Sequence, residues 1–121
     1  MCMKEKINNW IKQIDQTATI PSGIIAFNFG LYETSDGYCI YLVGSKVYDE
    51  NDDDWACSAD FQSDYLTISN DECHGIDWNS FLDEVTAIVT NTLQVIASNA
   101  SIFSNKIITI GFDDGDLKRL R

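Results

Sequence analysis

The chain has 121 residues, 45% of them hydrophobic and 12% aromatic, which is enough apolar surface to offset chain entropy and too little length for two independent cores. Disorder is excluded, and one domain over residues 1–121 is expected. The net charge of −11 is unevenly spread: between Asp15 and Asp116, 18 acids stand against Lys46 and Lys106 alone, a net of −16, with the other basic residues gathered near the two ends.

A field of that sign repels nucleic-acid phosphates and anionic lipid head groups, so neither is an expected partner, and it steers basic proteins inward. Acidity that serves solubility alone stays open beside that reading. No apolar run approaches the roughly 18 residues of a membrane span, and the start Met-Cys-Met-Lys-Glu-Lys carries no apolar export region. A cytoplasmic location is expected. On that expectation Cys2, Cys39, Cys57 and Cys73 are free thiols, with Cys39 and Cys57 acting as small apolar residues in strands.

Taken in chain order, Ile7, Trp10, Ile11 and Ile14 recur at helical spacing and predict an amphipathic helix from Lys4 to Gln16, stopped by Thr19, Pro21 and Gly23. Ile25, Phe27, Phe29 and Leu31 alternate, as in a half-buried strand. The turn residues Ser35-Asp36-Gly37 then lead to a second β-rich run, Tyr38 to Val43, giving a hairpin. Trp55, Cys57, Ala59 and Phe61 alternate again and predict a third strand, and Tyr65 to Ile68 supplies a short fourth, completing an antiparallel meander. Asp77 is a good N-cap for the main helix, whose apolar stripe is Phe81, Val85, Ile88, Val89, Thr92, Val95 and Ile96. Lys106 to Phe112 reads as a last strand, and Asp113-Asp114-Gly115-Asp116 turns the chain into a basic tail. The expected class is α+β: an antiparallel sheet of about five strands packed against an N-terminal helix and a long helix in the C-terminal half.

Two segments stand out as candidate binding surfaces. Tyr48-Asp49-Glu50-Asn51-Asp52-Asp53-Asp54-Trp55 holds five acids in six positions between two aromatics. Carboxylates so crowded repel one another, so they either face water or await a cationic partner. Trp55 also fits a core position at the start of a strand. Asp113, Asp114 and Asp116 form the second cluster, and if the last strand ends at the same sheet edge as the first cluster, the two merge into one anionic face.

Calcium fits poorly. Asp49, Asn51, Asp53 and Asp60 match four EF-hand positions, but Asp54 stands where the loop needs glycine, and no helix follows. No zinc pattern and no phosphate-cradling glycine loop occurs, so neither metal nor cofactor is expected. The single histidine, His74, adjoins Cys73 in sequence, a spacing that seldom lets the two face each other as base and nucleophile. No catalytic residue is assigned, and an enzyme is not the expected reading.

The aromatic hairpin, the stretch from Tyr48 to Cys57, the helix opening Asp77-Trp78 and the terminal Gly-Phe-Asp-Asp-Gly-Asp-Leu of residues 111–117 together resemble small bacterial immunity proteins of polymorphic-toxin or contact-dependent growth inhibition systems. That resemblance implies a protein that binds one cognate toxin and blocks it. The charge agrees in kind, because nuclease-like toxins carry basic surfaces. The expected contacts are Asp49, Glu50, Asp52, Asp53, Asp54, Asp113, Asp114 and Asp116, with Tyr48 and Trp55 as aromatic anchors. An interaction or regulatory module unrelated to toxins, and a small hydrolase or ligand-binding domain, remain as alternatives.

Overall fold

A computed structural model describes residues 2–57, 59–96, 101–113 and 115–121. Helix α1 (Met3–Thr17) forms where isoleucines recur every three or four positions, and Met3, Ile7, Ile11 and Ile14 are its buried face. Strands β1 (Ala26–Thr34) and β2 (Gly37–Ser45) pair antiparallel through a two-residue turn, Ser35-Asp36. Gly37 is required there: its φ is +153°, and a Cβ would lie 2.0 Å from the Ile68 carbonyl oxygen.

The α+β class is as expected, with differences in the sheet. Among the described residues six strands form, in the order β3-β2-β1-β5-β6, with β4 also on β2. Strands β3 (Phe61–Gln62) and β4 (Leu66–Ser69) each pair antiparallel with β2, at opposite ends of its outer edge, and so do not continue a meander. Strand β5 (Ile107–Phe112) runs parallel to β1, so the sheet is mixed, though mostly antiparallel. A short β6 (Lys118–Arg119) forms where only a tail is expected.

The predicted strand from Trp55 to Phe61 begins instead as a 3-10 helix, Asp53–Cys57, and of its described residues Phe61 alone joins the ladder, together with Gln62. The cause is local. Asp49 Oδ1 accepts from the Asn51 N–H at 2.9 Å and Asp52 Oδ1 from the Asp54 N–H at 3.0 Å, side-chain bonds that offer the backbone a turn in place of a ladder. Cys57 is consequently exposed and only Cys39 is a buried strand cysteine.

Between β4 and the main helix lies a one-turn helix, α2 (Asn70–Cys73), closed by a capping box in which Ser69 and Glu72 satisfy each other's backbone N–H groups. The main helix α3 (Trp78–Val95) starts at Asp77, whose carboxylate accepts from the Ser80 N–H at 2.8 Å. Its buried face is Phe81, Val85, Ile88, Val89, Thr92 and Leu93, while Val95, expected in the stripe, is 73% exposed.

Strand register explains the layers. Phe27, Phe29 and Leu31 of β1 stand level with Ile108, Ile110 and Phe112 of β5, and beside Ile40 and Leu42 of β2. All point to one face and bury against α1, α3 and Phe103, which stacks on Phe29. The opposite face carries Asn28, Gly30 and Tyr32 on β1, Cys39, Tyr41 and Val43 on β2, and Thr109 and Gly111 on β5, because side chains alternate along a strand. No helix of the described residues is long and apolar enough to cross a membrane.

Candidate functional site

The second face of the sheet is covered by the 3-10 helix and the turn that follows β5. Between them lies an open cleft of about 580 Å³. Its floor is Asn28, Tyr41 and Gly111; one wall carries Asp53, Asp54 and Cys57, and the other Asp113, Asp116 and Leu117. Two acidic segments some sixty residues apart in sequence thus meet across one concavity. The Leu117 N–H donates to Asp53 Oδ2 at 3.1 Å, which ties the walls together directly.

Each part of the cleft has a local cause. The ring of Tyr41 lies against Gly30, where a Cβ would sit 2.1 Å from ring carbon Cζ. The absence of a side chain at Gly30 is what lets the phenol lie flat across β1. Its hydroxyl donates to Asp113 Oδ1. Burial first, and the Asp113 hydrogen bond second, raise the Tyr41 pKa well above the ordinary phenol value, so this group stays neutral and remains a donor. Gly111 plays the same part for the far wall: a Cβ there would meet the Asp116 carbonyl oxygen at 2.6 Å. Asp113 is held by its backbone N–H, which donates to the Leu31 carbonyl at 3.0 Å.

Of the residues expected from sequence, Asp53, Asp54, Asp113 and Asp116 line the cleft together. Asp49, Glu50 and Asp52 are exposed on the loop that leads into the 3-10 helix, outside the cleft lining. Asp114 lies outside the described residues. Trp55 is 5% exposed, and its ring meets Tyr48 edge-on at 5.2 Å. The Arg119 guanidinium in turn lies 5.7 Å from the Tyr48 ring centre. The pair therefore fastens the acidic loop to β6, and Tyr48 is the member that keeps open surface.

Asn28, Tyr41 and Cys57 belong to the cleft without having been singled out by sequence. The available signal was strand alternation: with Tyr38, Ile40 and Leu42 on the core face, Tyr41 had to lie on the other. Tyr41 also joins Tyr32 and Tyr65, at centroid distances of 6.3 and 5.6 Å, in a tyrosine cluster beside the cleft. Tyr32 has its pKa raised to about 12, chiefly through its hydrogen bond with Cys39 and then through burial.

Elsewhere, Cys73 is buried in α2 whereas His74 is an exposed left-handed C-cap. Among the described residues, no group of three or more His, Cys, Asp or Glu side chains is arranged to hold a metal ion. No protein-family model, no curated protein and no solved structure matches the chain.

Proposed function

We propose that this chain is a binding protein that neutralises a cognate bacterial toxin, as immunity proteins do, by laying its acidic face on a basic, nuclease-like surface. The observation that carries the reading is the meeting of Asp53 and Asp54 with Asp113 and Asp116 around one cleft. Four carboxylates gathered around one cleft make a concentrated negative potential, which speeds encounter with a basic partner and rejects like-charged ones. Asp49, Glu50 and Asp52 extend that potential along the rim; Asp114, also an expected contact, lies outside the described residues. Tyr48 supplies aromatic contact surface, and Trp55 supports the loop from beneath.

Capture from cell lysate supplemented with the toxin domains encoded near the gene, at low and at high salt, tests this. Retention of one basic domain, weakened by salt and by the combined variant Asp53→Asn, Asp54→Asn, Asp113→Asn, Asp116→Asn, supports the reading. Capture of no such domain at either salt removes it.

A further inference from the structure

We infer that the cluster of Tyr32, Tyr41 and Tyr65 is the aromatic anchor on which a basic protein partner docks, so that the contact surface runs from the cleft across the open end of the same sheet face. This inference rests on the binding role proposed above and says where on the fold the apolar part of the contact lies. Strand alternation brings Tyr32 of β1 and Tyr41 of β2 onto the face opposite α1 and α3. Tyr65, from the connection between β3 and β4, stands edge-on to both, at 5.9 Å and 87° from Tyr32 and at 5.6 Å and 83° from Tyr41.

Packing between strands accounts for only part of this cluster. Tyr32 and Tyr41, with ring centres 6.3 Å apart, make the diagonal contact by which neighbouring strands stabilise each other. Tyr65 lies outside the strands and still brings its ring to the same place, where it remains 55% exposed. Tyr32 and Tyr41 are partly exposed as well, and Thr67, level with Cys39 on β4, is exposed. Rings already fixed against one another lose little freedom when covered, which is why tyrosine is favoured at the centre of protein interfaces.

Charge identifies the occupant. Asp113 accepts from the Tyr41 hydroxyl, and the exposed Asp64 precedes Tyr65. A second copy of the chain, at −11, is repelled by such surroundings, as are phosphates and anionic lipids. Lysine and arginine side chains are attracted, and their apolar stems and cationic heads pack on tyrosine rings. A basic protein surface therefore satisfies both the rings and the carboxylates around them.

The test places the photo-crosslinking residue p-benzoylphenylalanine in the full chain in place of Tyr65 and, as a control, in place of Asn9, which is exposed on α1 on the helical side of the sheet. After irradiation in cell lysate supplemented with the toxin domains encoded near the gene, the crosslinked protein is identified by mass spectrometry. It is then purified, and its binding to the wild type, Tyr65→Ala and Tyr65→Phe is followed by biolayer interferometry. The expected result is one basic protein crosslinked from position 65 and not from position 9. Tyr65→Ala should bind it about tenfold or more weakly through faster dissociation, and Tyr65→Phe, which keeps the ring, within about twofold of the wild type.

No crosslink from position 65, an acidic partner, equal crosslinking from both positions, or an unchanged affinity in Tyr65→Ala would each overturn the inference. Failure here is distinguishable from failure of the proposed function. A toxin domain bound as tightly by Tyr65→Ala as by the wild type leaves the function standing and this inference refuted. A basic partner that is no toxin, anchored at Tyr65, does the reverse.

Discussion

Tyr41 can lie over the sheet only because residue 30 has no side chain, so the cleft depends on a position remote from either acidic segment. Gly30→Ala puts a methyl into the phenol ring, 2.1 Å from Cζ, and overpacking of that kind costs about 1–3 kcal/mol. The expected outcome is a lower urea midpoint together with loss of the raised Tyr41 pKa, read in a tyrosinate absorbance titration. Gly37→Ala should be at least as costly, because its Cβ meets backbone at the Ile68 carbonyl and not the end of a side chain.

Glu72 gives a pH prediction whose sign follows from its environment. The Ser69 backbone N–H first, and then Lys6 at 3.0 Å, hold its carboxyl below the ordinary glutamate value. A group depressed in the folded state adds stability that is present above its unfolded pKa and is lost as the pH falls through the folded one. The stability difference between the wild type and Glu72→Gln should therefore be larger at pH 7 than at pH 3, as measured by urea unfolding at both. At this scale, Asp77 as an N-cap was legible because its chemistry is local. The place of Asn28 in the cleft floor was not, since Thr109 comes to bond it only when β5 pairs with β1.

Helical elements follow their sequence patterns closely, for the reason that a 3.6-residue period and a capping carboxylate both lie within the segment they organise. Asp77→Ala should accordingly remove the Ser80 N–H bond at the start of α3 and destabilise the fold, measured as a drop in thermal midpoint of a few degrees. Strands were less legible. The alternation of Trp55, Cys57, Ala59 and Phe61 has the period of a strand, but Asp49 and Asp52 bond to nearby backbone and wind the chain into a 3-10 helix instead. The direction of β5 is not carried by its own residues, because Ile-Ile-Thr-Ile fits a parallel or an antiparallel neighbour alike. The return through α3 decides it. Strand β6 is similarly a product of context: Lys118 is a weak strand former, and the segment is drawn into the ladder by β5, with the Leu120 N–H donating to the Ile108 carbonyl at 2.7 Å.

For the whole molecule, the consequence is a division between two faces of one sheet. One is sealed by α1 and α3 over an aromatic and aliphatic core; the other is left to two short segments and the cleft between them. Net charge was legible from composition, and the merging of the acidic clusters was expected conditionally on where β5 ends. The bond from Leu117 to Asp53 shows that they do meet. Because the field is long-ranged and screened by salt, association with a basic partner should slow markedly between low and physiological ionic strength. Dissociation, governed by contacts inside the cleft, should change much less.

The proposed binding role is tested most directly by the association of the chain with any basic toxin domain encoded near its gene. That association would be followed by biolayer interferometry at two ionic strengths for the wild type and for the variant carrying Asp53→Asn, Asp54→Asn, Asp113→Asn and Asp116→Asn. Saturable binding of one domain is expected, with an association rate that falls with salt and an affinity reduced at least tenfold in the variant. Binding of that domain with the same affinity by wild type and variant would contradict it, and would move the contact surface away from the cleft.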